Sequence, residues 1–163
     1  MAFKKWNCKV KHQYLLHELK YKSNQEIGIF LGKLIGGELA EISRKFDCII
    51  PVPLHPKKLF KRGYNQSELL ANGIRKILST DLVINNLERI LFTETQTKKS
   101  KNERIKNMKG AFAVVNKKAL ENKKVLLIDD VFTTGATLAE CINELNKVKG
   151  IEVSIAVLAR TNF

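Results

Sequence analysis

Three short apolar runs, CIIPV (48–52), KVLLID (124–129) and VSIAVLA (153–159), alternate with segments in which apolar residues recur at helical spacing. A strand that is apolar at consecutive positions buries both of its faces. Helices between such strands predict an α/β fold: an open, mostly parallel sheet flanked by helices on both faces. The first helix is expected over 24–45, after a Ser23/Glu26 capping box, with Ile27, Phe30, Leu31, Leu34, Ile35, Leu39 and Ile42 in register. Gly28, Gly32, Gly36 and Gly37 weaken that helix but permit close packing. A second helix is expected over 65–78, with Leu69, Leu70, Ile74, Ile77 and Leu78 facing in. A third is expected over 134–148, with Gly150 as its C-cap. LVI (82–84), RILF (89–92) and AFAVV (111–115) are further strand candidates. Pro53 and Pro56 stop the first strand and leave 53–62 as a loop. Residues 94–109 are polar and lysine-rich and also read as a loop.

The 163 residues suit a single domain, with 1–14 as an N-terminal extension. No stretch reaches the ~18 unbroken apolar residues of a membrane span. The charged start, MAFKKWNCKVKHQY, has no apolar core of the signal-peptide kind. Cys8, Cys48 and Cys141 are far apart and form no CxxC pair, so reduced thiols in a cytoplasmic protein are expected. His12 and His17 have no third ligand beside them, and no metal-binding residues are assigned.

The net charge of +13 is unevenly placed. Residues 53–62 carry Lys57, Lys58, Lys61 and Arg62 with no acid. Residues 94–124 hold ten Lys or Arg against three Glu, and residues 1–22 hold six Lys against one Glu. Lysines on a solvated face would explain the total. Their clustering on two loops favours a polyanion partner.

One of those loops lies close in sequence to VLLIDDVFTTGAT (125–137), where an apolar strand runs into two acids and then a hydroxyl-rich turn. Ligands of open α/β sheets bind beyond the carboxyl ends of strands. A helix beginning after that turn presents unpaired N–H groups and the positive end of its dipole, which suits a phosphate. Thr133, Thr134 and Thr137 add hydroxyl donors, and Gly135 lets the backbone approach a ligand closely. Asp129 and Asp130 repel a phosphate, so they serve sugar hydroxyls or a hydrated cation. A Walker B strand is an alternative, but no GxxxxGK[ST] accompanies it. A plain strand–turn–helix capped by Thr134 is another, and it leaves the adjacent acids unexplained.

VLLIDDVFTTGAT resembles the phosphoribosyl-pyrophosphate signature of type I phosphoribosyltransferases. LKY (19–21), IIPVPLHPKKLFKRGYNQSELLA (49–71) and TQTKKSKNERIKNMKGAF (95–112) precede it in the order seen in the ComF/GntX-type competence-protein family. The resemblance implies a type I phosphoribosyltransferase-like fold. It implies a ribose diol on Asp129 and Asp130, and a 5-phosphate in the loop of Thr133, Thr134, Gly135, Ala136 and Thr137. The pyrophosphate would lie at Pro53, Leu54 and Lys57, with Mg²⁺ accompanying the ligand. Lys98, Lys99 and Arg104 would sit on a loop that closes over the transferring group, and Arg104 with Asn107 would hold that loop. Catalysis, if any, would rest on Asp129, Asp130 and Arg104. Gly63 and Asn65 are open to two readings, turn and N-cap or ligand contact. His55 reads as a loop histidine near phosphate.

The family further implies single-stranded DNA as a partner in natural transformation. Lys57, Lys58, Lys61, Arg62, Lys98, Lys99 and Lys101 would track its phosphates, with Tyr64, Phe60 or Trp6 to stack bases. A DNA-uptake helicase is a further expected partner. Relatives often carry a four-cysteine zinc ribbon. Cys8 alone stands near this start, so no zinc is expected. Thr133 stands where purine-salvage enzymes have a carboxylate, and no hood insertion for a nucleobase is evident. The alternative is an active phosphoribosyltransferase with an unassigned base or amine acceptor.

Overall fold

The computed structural model describes residues 25–42, 44–91 and 108–160. Four strands form one parallel sheet: β1 (Cys48–Pro51), β2 (Asp81–Leu82), β5 (Lys124–Phe132) and β6 (Glu152–Arg160), in the order β2-β1-β5-β6. β3 (Leu87–Arg89) and β4 (Phe112–Val114) form a separate antiparallel ribbon, registered Leu87↔Val114 to Arg89↔Phe112. The helices are α1 (Gln25–Ala40), α2 (Pro56–Arg62), α3 (Gln66–Leu78) and α4 (Ala136–Leu145). A 3₁₀ turn, Lys118–Leu120, leads into β5.

The strand pleat sorts the core into two layers. Ile49, Leu126, Ile128 and Ala156 face α1 and α3, where Leu31, Ile35, Leu70 and Ile74 meet them. Cys48, Ile50, Val125 and Leu127 face α4 and the β3–β4 ribbon, against Leu138, Cys141, Leu145 and Phe112. Each fully buried aliphatic contributes roughly 1.5–3 kcal/mol of transfer free energy. The expected sheet with helices on both faces is thus present.

Glycines bring α1 and α3 into backbone contact. A Cβ on Gly32 would lie 2.1 Å from the Leu70 carbonyl oxygen, and one on Gly73 would lie 2.2 Å from that of Ile29. The close packing foreseen for the α1 glycines is real, and it changes which face is inward. Gly28, Gly32 and Gly36 are buried, whereas Phe30 and Leu34 of the expected apolar stripe are 60% and 51% exposed.

Several boundaries differ from the sequence expectation. α1 ends at Ala40, with Ile42 closing a turn onto the Leu39 carbonyl. Residues 53–62 are not all loop: Pro56 opens α2, because its missing N–H costs nothing in a first helical turn. Ile77 of α3 is 44% exposed. The 82–84 and 89–92 strands shift to 81–82 and 87–89. β5 runs three residues past the expected end, because β6 continues beside it to Arg160. α4 spans 136–145, and Gly150 is no helix cap. Its left-handed turn (φ 68°) leads into β6, where a Cβ would meet the Asn122 amide oxygen at 2.1 Å.

Candidate functional site

β1 pairs with β5 only as far as Pro51↔Ile128, and the Val52 amide closes that edge on the Ile128 carbonyl at 2.8 Å. Beyond Ile128, β5 keeps β6 as its neighbour but has lost β1. Asp129 and Asp130 therefore stand beside the gap where β1 has ended, the place where an open α/β sheet binds ligands. Both are half-buried.

Asp129 is fixed in place. Its Oδ1 accepts from Ser67 Oγ at 3.1 Å and from the Asp130 amide at 2.9 Å. Ser67 reaches it because Asn65 caps α3: Asn65 Oδ1 accepts from the Ser67 amide at 3.1 Å, while Asn65 Nδ2 donates to the Val52 carbonyl at 3.0 Å. The cap reading of Asn65 holds, and the same side chain ties α3 to the end of β1. Gln66 is buried; its Oε1 accepts from Arg62 Nη1 at 2.8 Å, and its Nε2 finds no acceptor among the described residues. Ser67, absent from the sequence assignment, is thus the support of the first acid. An N-cap followed two residues on by a hydroxyl could have signalled it.

The turn after β5 begins at Thr133, which is exposed; Thr134 and Thr137 are half-buried, and Ala136 is buried. Gly135, at φ 76°, is the N-cap of α4. A Cβ there would lie 2.7 Å from the Phe132 ring, so glycine is required by space as well as by conformation. Arg160 lies over the same ring, its guanidinium carbon 5.4 Å from the Phe132 centroid. Thr134 is not the N-cap; its Oγ1 accepts from the Ala136 amide at 3.4 Å.

Across the gap, Pro53 and Leu54 lead into α2. The Lys57 amide, expected to face a pyrophosphate, donates to His55 Nδ1 at 3.2 Å, and the Lys58 amide donates to the His55 carbonyl at 2.8 Å. His55 is therefore an N-cap. Desolvation, followed by the charges of Arg89, Lys57 and Lys58, pushes its pKa below the ordinary histidine value, so the neutral form that accepts the bond is favoured. Desolvation and then the charges of Arg89 and Arg62 also lower the Lys58 ammonium. Arg89 opens the expected RILF strand but is not among the candidate site residues read from the sequence. It ends β3 with its guanidinium carbon 5.5 Å from the Phe112 ring centroid and Nη2 3.6 Å from Met108 Sδ, and it feels Asp129 and Cys141 electrostatically.

Lys57 and Lys61 are exposed on α2, and Phe60 between them is 93% exposed. Tyr64 is only 8% exposed and packs with Leu69, Ile29 and Leu158, so it has no open face for a base. Lys98, Lys99, Lys101, Arg104, Asn107 and Trp6 lie outside the described residues. A separate open cavity of about 620 Å³, lined by Leu39, Phe46, Ile77 and Thr80 among others, lies at the opposite end of β1. None of the described residues forms a helix long and apolar enough to cross a membrane.

The chain matches the phosphoribosyl transferase domain family over residues 65–162, which include Ser67, Arg89, both acids and the threonine turn. It is 38% identical over 115 residues to Competence protein F of Haemophilus influenzae, covering 70% of this chain and 50% of that protein. It is 32% identical over 152 residues to DNA utilization protein YhgH of Escherichia coli O157:H7, covering 90% of this chain and 66% of that protein. The chain thus spans half to about two thirds of these relatives. In fold it is similar to glutamine phosphoribosylpyrophosphate amidotransferase from B. subtilis, with a TM-score of 0.58 at 18% identity, covering 87% of this chain and 30% of that one. With a parallel sheet, paired acids at the end of its central strand and these relatives, the chain belongs to the phosphoribosyl transferase domain family, in its ComF competence-protein branch.

Proposed function

We propose that the cleft binds phosphoribosyl pyrophosphate with Mg²⁺, and that the protein handles single-stranded DNA during DNA uptake. The observation that carries the ligand reading is the placement of Asp129, held by Ser67 beside the start of α4. Asp129 and Asp130 would accept from the two ribose hydroxyls. The amides of the Thr133–Thr137 turn and its hydroxyls would hold the 5-phosphate. Pro53, Leu54 and the Lys57 side chain would border the pyrophosphate. Mg²⁺, when bound, would neutralise the diphosphate and order water around it. Among the described residues no three His, Cys, Asp or Glu side chains are grouped so as to hold a metal ion. Two neighbouring carboxylates, Asp129 and Asp130, suit a cation carried in with phosphates and water.

The DNA reading draws on the names of the relatives and on α2. Lys57, Lys58, Lys61 and Arg62 supply charge from a stretch, 53–62, whose sequence contains no acid, and exposed Phe60 offers a face for stacking. Labelled single-stranded DNA titrated at two salt concentrations tests it. Salt-dependent binding that Phe60→Ala weakens about fivefold or more is expected, since stacking contributes roughly 1–3 kcal/mol per base. Salt-independent binding, or none, contradicts it. A DNA-uptake helicase is the protein partner of this reading, expected to co-elute even after nuclease treatment; loss of co-elution under nuclease removes it as a direct partner.

The alternative is an active phosphoribosyltransferase (a glycosyltransferase). Asp129, Asp130 and Arg104 would then stabilise an oxocarbenium-like state while pyrophosphate leaves toward the basic side of the cleft. Exposed Thr133 offers no carboxylate to accept a proton from an acceptor. Pyrophosphate release, followed with a panel of bases and amines, decides between the readings. Release with one acceptor above background selects the enzyme; none across the panel favours a binding role.

A further inference from the structure

The two edges of the main sheet are built differently. β2, at one edge, is two residues long and opens on an acid, Asp81. β6, at the other, runs from Glu152 to Arg160 with neither proline nor charge between its ends. An exposed sheet edge is a template for further pairing, and proteins blunt it by shortness, charge, proline or bulges. β2 is short and charged. β6 is long, and its register with β5 keeps one offset from Lys124↔Glu152 to Phe132↔Arg160, so no bulge interrupts it. Its side chains are apolar on both faces and incompletely covered. Val153, Ile155 and Val157 pack on the α4 layer and Leu158 on the α1–α3 layer, yet all four are only half-buried.

The backbone fixes which groups point outward. The Glu152 amide donates to the Lys123 carbonyl at 2.9 Å, on the β5 side. Successive residues of a strand turn their N–H and C=O groups to opposite edges. Val153, Ile155, Val157 and Ala159 therefore turn theirs to the outer edge, where β6 has no neighbouring strand among the described residues. The charge pattern selects the strand that fits there. Laid antiparallel on a copy of itself, about a twofold axis at Ala156, β6 sets Glu152 opposite the partner's Arg160 and Arg160 opposite the partner's Glu152. Both side chains are exposed. In the same register Ile155 meets the partner's Val157 and Val153 meets the partner's Ala159, so the outward N–H and C=O groups face each other as hydrogen-bonded pairs. Opposite charges and β-branched side chains set across from one another stabilise such a pairing. A parallel pairing of two copies would instead put like charges side by side. The net charge of +13 does not come from this part of the sequence: residues 125–163 hold five Asp or Glu against three Lys or Arg. We propose that β6 is a dimerisation edge, through which two copies of this chain pair antiparallel and join their four-stranded sheets into one.

Sedimentation velocity on the full chain over a range of concentrations tests this, with two charge reversals. Glu152→Arg sets arginine against arginine at both ends of the pairing, and Arg160→Glu sets glutamate against glutamate. Each variant alone is expected to dimerise at least about tenfold more weakly than wild type, because two attractive pairs become repulsive. An equimolar mixture of the two variants should recover the dimer, since every arginine then meets a glutamate. Melting temperatures check the folds; the Arg44–Glu152 ion pair lost in the first variant is exposed and contributes little. Where a reversal fails to fold, amide exchange of the wild type decides: Val153, Ile155, Val157 and Ala159 should gain protection as concentration rises, and no gain overturns the proposal. A wild-type chain that stays monomeric across the range overturns it. So does a dimer that neither reversal weakens, or one that mixing fails to restore.

Discussion

Ser67 Oγ donates to Asp129 Oδ1 at 3.1 Å, joining the first turn of α3 to the carboxyl end of β5 across 62 residues of sequence. The bond aims a half-buried carboxylate at the gap left by β1. It also links the cap on Asn65, and through it the Val52 carbonyl, to the candidate sugar site. Three elements therefore determine where one acid points.

Removing that hydroxyl should be felt at the site more than in the fold. Ser67→Ala deletes one hydrogen bond to a carboxylate, worth about 1.5–3 kcal/mol between the side chains. The melting temperature is expected to fall by a few degrees. Affinity for phosphoribosyl pyrophosphate is expected to fall about 10- to 150-fold, the same range expressed as binding. Calorimetry on Ser67→Ala checks this. Affinity equal to wild type would show that Asp129 is held without Ser67.

The α1–α3 contact gives a prediction about stability alone. Gly73→Ala puts a methyl 2.2 Å from the Ile29 carbonyl oxygen, on rigid backbone. The helices must separate, and overpacking of this kind costs about 1–3 kcal/mol or more. Gly37→Ala, where nothing lies within 4 Å, should be neutral or slightly stabilising through helix propensity. Urea denaturation of both variants separates the two effects. Equal midpoints would contradict the close approach.

His55 ties stability to pH. Its pKa is depressed in the folded chain, so the unfolded state binds the proton more readily. By linkage, stability then rises with pH through this range. The contribution of the cap is present above the ordinary histidine value near 6.5 and is lost as pH falls through the folded value. Proton NMR of the imidazole should give a midpoint below 6.5, with the Lys57 amide shifting in step. A midpoint at or above 6.5 would contradict the cap and its basic surroundings.

Much of this site was legible in the sequence because its chemistry is local. The aliphatic run, the two acids and the glycine of the turn lie within thirteen consecutive residues, and the strand–turn–helix they predict is present. Asn65 as a cap was equally local. What escaped detection depends on residues far apart. Ser67 and Asp129 meet only through the sheet order, and Arg89 joins the cleft only because β3 and β4 pair as a ribbon outside the main sheet. α2 was hidden for a different reason: Pro56 reads as a strand stop, although it also starts a helix. Phe30 and Leu34 kept helical spacing yet face outward, because α1 approaches α3 through glycines that periodicity does not count as apolar.

The central claim is that the acids at the end of β5 hold the sugar of a phosphoribosyl ligand. Calorimetry with phosphoribosyl pyrophosphate and Mg²⁺ on wild type and on the double variant Asp129→Asn, Asp130→Asn tests it most directly. Loss of at least about tenfold in affinity, with circular dichroism and pyrophosphate affinity retained, is the predicted result, since each acid supplies charged hydrogen bonds. Wild-type affinity in the double variant would contradict the assignment.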